Sequence, residues 1–341
     1  MTAQAATSDA APRTRRRIRS QDWRAEYTLG ALARGISVLV YAMLIFILIR
    51  AWPSFSHNGL SWFGGSFNAD NQLQAIFDSA TTAQGSGGYE YTLNAWSYIY
   101  ATLIVCLPAV LISFVLSLFT SVFLVEFAPR RIAAIVTPSV RLLAGVPSVV
   151  YALIGVVVLV PFINNHVISD QQKTDVGYVV TLSGYSIGAG IVVLTMMISP
   201  IMIAIFSDGL RSVPHLWKEG SMALGVSKWR TCWKVTLRAA RPAIVAGTIL
   251  ATARAIGEAV MLAMIAGTIG WRPNPADGFL FFLEPAKPVA AVILTHGDML
   301  VVEPVQRTIF AFAALLLVTT MALSLIGWAI KQPLKKYGIR A

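Results

Sequence analysis

Charged side chains are scarce in this sequence. Asp, Glu, Lys and Arg make up 13% of its 341 residues, too few to solvate the surface of a soluble protein of that length. Cysteine is almost absent: Cys106 lies inside an apolar run and Cys232 in a basic loop, so part of a bilayer would separate them and no structural disulfide is expected. The four histidines, His57, His166, His215 and His296, fall in different loops without metal-ligand spacing, so they are expected at the surface and no metal site is predicted. No G-x-x-x-x-G-K-[ST] occurs, which excludes a Walker-type nucleotide loop, and no cofactor is expected on this chain. Gly184-Tyr185-Ser186-Ile187-Gly188 has the spacing of a nucleophile elbow, but it opens an apolar run instead of joining a strand to a helix, which argues against a hydrolase. No internal repeat is evident, so an inverted-repeat transporter gains no support.

What the chain has is apolar length. Hydrophobic residues make up 56%, mean hydropathy is +0.67, and several runs of 20 or more residues are nearly uncharged, which predicts an all-α polytopic membrane protein. Six transmembrane helices fit, over residues 29–52, 96–125, 141–164, 184–206, 242–269 and 305–330. The net charge of +11 is a topology signal and does not point to nucleic acid: basic residues crowd some connecting segments and avoid others, residues 53–94 having neither Lys nor Arg. That asymmetry predicts an even number of spans with both termini on the basic, cytoplasmic side. The basic tail 1–28 is expected to lack structure, followed by the first span 29–52, an outer loop 53–95, a core 96–331 with five spans, and a basic tail 332–341. Phe279 to Leu283, in the last outer segment, reads as a half-dipping or pore-packing stretch.

The long basic loop, residues 208–241, is the segment least explained as a passive connector. Val213, Leu216, Trp217, Gly220, Ala223 and Leu224 fall on one face at helical spacing, with Ser212 as the expected cap and Gly225 just past the end in a left-handed conformation. Ser227 caps a second basic helix bearing Trp229 and Trp233, and Pro242 opens the next span. The bland alternative is an ordinary interfacial elbow.

This arrangement resembles the EAA loop of ABC-transporter permeases, whose pattern is Glu-Ala-Ala, three residues, Gly, nine residues, Ile-x-Leu-Pro. Here Glu219, Gly225 and Leu237 hold the spacing, while Gly220 and Ser221 replace the alanines and Arg238 the proline. Together with Arg211-Ser212-Val213-Pro214, Ala223-Leu224-Gly225, Arg254-Ala255-Ile256-Gly257-Glu258 and Gly145-Val146-Pro147-Ser148-Val149-Val150-Tyr151, the chain resembles phosphate-import permeases of the PstC type over roughly residues 29–331.

That resemblance implies the type I ABC-importer permease fold in a bacterial plasma membrane and no enzymatic activity in this chain. It implies three kinds of partner besides the lipid bilayer: a second permease of the PstA type, a dimer of PstB-type ATPases carrying ATP and Mg, and a periplasmic or lipid-anchored phosphate-binding protein of the PstS type. Glu219, Gly220, Ser221, Ala223, Leu224 and Gly225 would then couple to the ATPase. Ser148 and Tyr151, beside the Gly145–Pro147 break, would lie near the substrate path, although Pro147 reads equally as a plain kink. Arg254 and Glu258, four residues apart inside an apolar run, read either as substrate-path charges or as a structural pair that lets the helix insert. Another oxyanion, such as molybdate or sulfate, is the nearest alternative cargo, and an ATP-independent anion channel or transporter the alternative class.

Overall fold

A computed structural model describes residues 13–65, 68–82, 92–177 and 181–334. The regular elements are helical, and among the described residues the strand-like pairing is one bridge between Asn68 and Trp271. Among the described residues six helices are long and apolar enough to cross a membrane: Ala25–Phe63, Trp96–Phe127, Ser148–Val167, Ile187–Arg211, Lys228–Ile256 and Glu303–Ile330, here spans one to six. This is the expected all-α, six-span architecture.

The chain divides into two compact units, Met1–Arg50 and Ala51–Ala341. In the first, a helix begins at Arg13, within the tail expected to lack structure. Arginine is a good helix former, and a helix already nucleated in an apolar run propagates into it at little cost. Residues 1–12 lie outside the described residues. Leu32, Ile36, Leu39 and Ile49 on this helix are exposed, an apolar surface that suits lipid.

The second unit is centred on spans two and four. Buried hydroxyls tie them together: Ser113 Oγ donates to the Thr195 carbonyl at 3.2 Å, Ser117 Oγ to that of Ser199 at 3.1 Å, and Ser199 Oγ meets Ser113 Oγ at 3.2 Å. Small polar side chains allow helices to approach closely where no water competes for the bonds. The same logic joins spans four and five, where Gly209 faces Ala243 and Gly247 faces Ile205 and Phe206 with no room for a Cβ.

Two spans differ from the expected outline. The predicted third span is divided: an amphipathic helix, Arg130–Ala144, has no buried residue, the chain breaks at Gly145–Pro147, and the membrane helix starts at Ser148. The fifth span starts earlier and ends sooner than expected: it is helical from Lys228, its regular α-helix being Leu237–Ile256, with a short helix Val260–Ile265 after a break. Pro242 therefore lies inside the helix and does not open it. The bond it forgoes is the one to the Arg238 carbonyl, on a residue that is exposed.

The outer segments are folded. A helix Ala69–Thr82 occupies the predicted outer loop, and Phe281, Leu283 and the helix Val289–Thr295 pack back on the core. Asp70 joins the two segments. Its carboxylate accepts Lys287 Nζ at 2.8 and 2.9 Å, Tyr98 Oη at 2.7 Å and the Gly270 N–H at 2.5 Å. His296 stands 3.8 Å away and is 8% exposed, a correction to the surface role expected for it: the fold carries it against Asp70 and Lys287, out of reach of any local pattern. Burial, with Lys287 beside it, lowers its pKa below the ordinary 6.5.

Candidate functional site

The loop after span four forms a helix His215–Ala223, a glycine turn and a second helix beginning at Lys228. Gly225 has φ +79° with open space around it, so the backbone conformation alone calls for glycine. Its N–H donates to Met222 O at 2.9 Å, and Ser227 caps the next helix by accepting from the Arg230 N–H. Ser221 and Thr231 share a hydroxyl bond of 2.9 Å across the turn.

Ser212 does not cap the first helix. It terminates span four, its Oγ donating to Gly209 O at 2.7 Å, and Pro214 takes the capping place because its extended backbone suits the entry to a helix. Of the predicted apolar face only Val213 is buried; Leu216 is 78% and Leu224 85% exposed, with Trp217 and Ala223 also open, as is Met222 beside them. Glu219 and Gly220 are exposed as well. The tip of the loop thus turns apolar side chains away from its own chain, the composition of a docking surface more than of an elbow folded on itself.

The second region is where the helices that follow the breaks of the third and fifth spans, Ser148–Ile154 and Val260–Ile265, pack together. Pro147 lacks the N–H that would bond the Leu143 carbonyl one turn back, and that carbonyl accepts instead from the Val146 N–H at 3.1 Å and from Tyr151 Oη at 3.0 Å. Tyr151 is 8% exposed and lies close enough to Arg254 to interact electrostatically, while Ser148 is half-buried at the helix start. The segment packs against the short helix Val260–Ile265, with Gly155 admitting Ile265.

Arg254 occupies the last turn of the fifth helix. The Gly257 N–H bonds Ala253 O, the Glu258 N–H bonds Ala255 O, and the helix stops. Arg254 and Glu258 pair at 3.5 Å, but across a helix end and not along a continuous face; the arginine side chain is 42% exposed and the glutamate 11%. A cation suits the negative end of the helix, and irregular backbone at membrane depth is tolerated where it is buried in protein or lines a water-filled cavity. Arg254 therefore presents donors to open space with Glu258 behind it.

Six spans, a protruding helix–glycine–helix loop and a broken, charged helix define a multi-pass membrane permease. Residues 89–330 match the family described as the binding-protein-dependent transport system inner membrane component, and the chain belongs to that family. It is 36% identical over 181 residues to the probable ABC transporter permease protein YqgH of Bacillus subtilis, a match spanning 53% of this chain and 55% of that protein. It is 29% identical over 303 residues to the phosphate transport system permease protein PstC of Xylella fastidiosa strain Temecula1, covering 84% of this chain and 90% of the relative. Among solved structures, a chain of a bacterial alginate ABC transporter, in complex with its alginate-bound periplasmic protein, shares the fold with TM-score 0.55 at 14% identity, covering 94% of this chain and 99% of that one. Membership in the family implies an ATPase and a substrate-binding protein as partners.

Proposed function

We propose that this chain is one of two permease subunits of an ATP-driven phosphate importer, with both termini cytoplasmic and the 208–241 loop docked on a partner ATPase that carries ATP and Mg. The exposed apolar tip of that loop, held by Gly225, is the observation that carries the ATPase contact. Phosphate as cargo is supported by the PstC relative, and an anion of some kind by the open Arg254. Glu219, Gly220, Ser221, Ala223, Leu224 and Gly225 form the contact; Arg254 and Glu258, with Ser148 and Tyr151 beside them, form the substrate path. A PstA-type chain supplies the other half, and a PstS-type protein delivers phosphate from outside.

Gly225→Ile tests the loop. A β-branched side chain at φ +79° carries strain of about 1–3 kcal/mol, enough to change the turn without disturbing the spans. In vesicles containing the reconstituted complex, phosphate uptake and its ATP hydrolysis stimulated by the binding protein should both be lost. Normal stimulation would return the loop to a passive elbow. Orientation is tested separately: a cysteine at Asp277 should react with an impermeant thiol reagent outside intact cells and one at Ser221 should not, the native Cys106 and Cys232 both being buried. Labelling of Ser221 from outside would overturn the topology.

A further inference from the structure

We infer that the Glu126–Lys218 ion pair is the link by which the coupling loop drives span two, which makes Glu126 a positioning residue for transport. The inference rests on the loop being the ATPase contact and adds the receiving end. Lys218 Nζ meets Glu126 Oε1 at 2.5 Å with the side chains only 11% and 10% exposed, so water screens the pair little. On the helix His215–Ala223, Lys218 is the charge the rest of the chain holds. Glu219 and His215 are exposed, with no ion pair to either among the described residues.

Glu126 lies in a widened, π-helical turn, Phe123–Phe127, and the second loop helix runs into another, Cys232–Thr236. Single π-turns inside α-helices are frequent at functional sites. Around the pair, Phe127 packs on Trp229 at 5.9 Å, Phe119 on Trp233 at 6.3 Å, and Lys228 stands over the Phe127 ring at 5.2 Å. Both loop helices therefore grip the inner end of span two, although the chain connects the loop directly only to spans four and five.

Span two then runs unbroken from Val122 back to Trp96, cross-linked to span four by the buried hydroxyls. Cys106, in the half of the span nearer Trp96, donates to the carbonyl of Ala255 at 3.5 Å, next to Arg254. A displacement of the loop passed through Lys218 and Glu126 would move the helix that touches the charged break. A loop joined only through spans four and five would leave Glu126 a spectator.

The test uses the full complex in vesicles, with radiolabelled phosphate outside and ATP hydrolysis measured in parallel. Glu126→Gln should leave assembly and stimulated hydrolysis near wild type while phosphate moved per ATP falls about tenfold or more, within the usual range of coupling between sites. The exchanged variant, Glu126→Lys with Lys218→Glu, should recover most of that ratio because it restores attraction between the same two elements. An unchanged ratio in Glu126→Gln overturns the link. So does an exchanged variant no better than the single one, or a fall in uptake that only follows a loss of assembled complex, the mark of a purely structural pair. Gly225→Ile in the same series separates the two levels. If it is inactive while Glu126→Gln stays coupled, the loop reading stands and only the link fails; if Gly225→Ile transports normally, the loop reading fails and takes the link with it.

Discussion

Asp70→Ala should release the outer helix Ala69–Thr82 from the segment that follows span five. The substitution leaves the Lys287 ammonium 5% exposed with no carboxylate, and removes the acceptor of Tyr98 Oη and of the Gly270 N–H. Breaking one side of a buried pair costs about 3–5 kcal/mol, a large fraction of what holds such a segment in place. Hydrogen exchange in residues 69–82 should accelerate by orders of magnitude while spans two and four stay protected. A companion variant, Asp70→Leu with Lys287→Met, removes both charges and should recover most of the protection, because packing apolar groups in place of a buried pair is often neutral or better. The pH dependence has a definite sign. His296 has a folded pKa below its unfolded one, so the unfolded segment binds more protons, and the contribution to stability falls as pH drops through the region around 6.5. Asp70 and Asp298 face the ring and moderate the loss, and Lys287 adds to it. Protection that is indifferent to Asp70→Ala would mean that the apolar contacts of the segment hold it alone.

Much of this architecture is legible in the sequence because hydropathy and helical period are local properties. Six spans, the glycine turn at 225 and the Ser227 cap each follow from residues within one or two turns of one another. The pairs that organise the interior have no local signature. Lys287 reaches Asp70 across 217 residues and Lys218 reaches Glu126 across 92, and nothing in either neighbourhood marks its partner. His296 was misread for the same reason: a histidine between polar residues is at the surface unless a distant segment covers it. The bounds of spans three and five differ from expectation because apolar residues lie on both sides of Gly145–Pro147 and of Gly257–Ala259, so each run reads as continuous while the helix is not. Pro147 reads as a break from the sequence and Gly257 does not; nor does the sequence show that the helices after the two breaks pack together, with Tyr151 in the field of Arg254.

Neutralising the charged break should stop transport. With the arginine 42% exposed and the glutamate 11%, Arg254→Gln removes the donor that faces the open side of the pair, while Glu258→Gln removes the carboxylate that holds it. A hydrogen bond between charged groups contributes about 1.5–3 kcal/mol, so losing one such contact to phosphate lowers uptake roughly 10- to 150-fold. Arg254→Lys should rescue only in part, because an ammonium lacks the planar fork that bonds two oxygens of one anion. The purely structural account predicts a different pattern. If the pair only allows the helix to insert, removing both charges together leaves nothing unpaired, and Arg254→Gln with Glu258→Gln should insert, assemble and transport normally. The exchange Arg254→Glu with Glu258→Arg is a harsher test than continuous-helix geometry would make it. It sets an anion against the negative end of the fifth helix, which costs about 0.3–1 kcal/mol, and moves the cation to the buried position. The neutral double variant is therefore the deciding one, measured as phosphate uptake per assembled complex. Transport at the wild-type rate in that variant would remove Arg254 and Glu258 from the substrate path, whereas loss of uptake with assembly intact keeps them there as the charges that meet the anion.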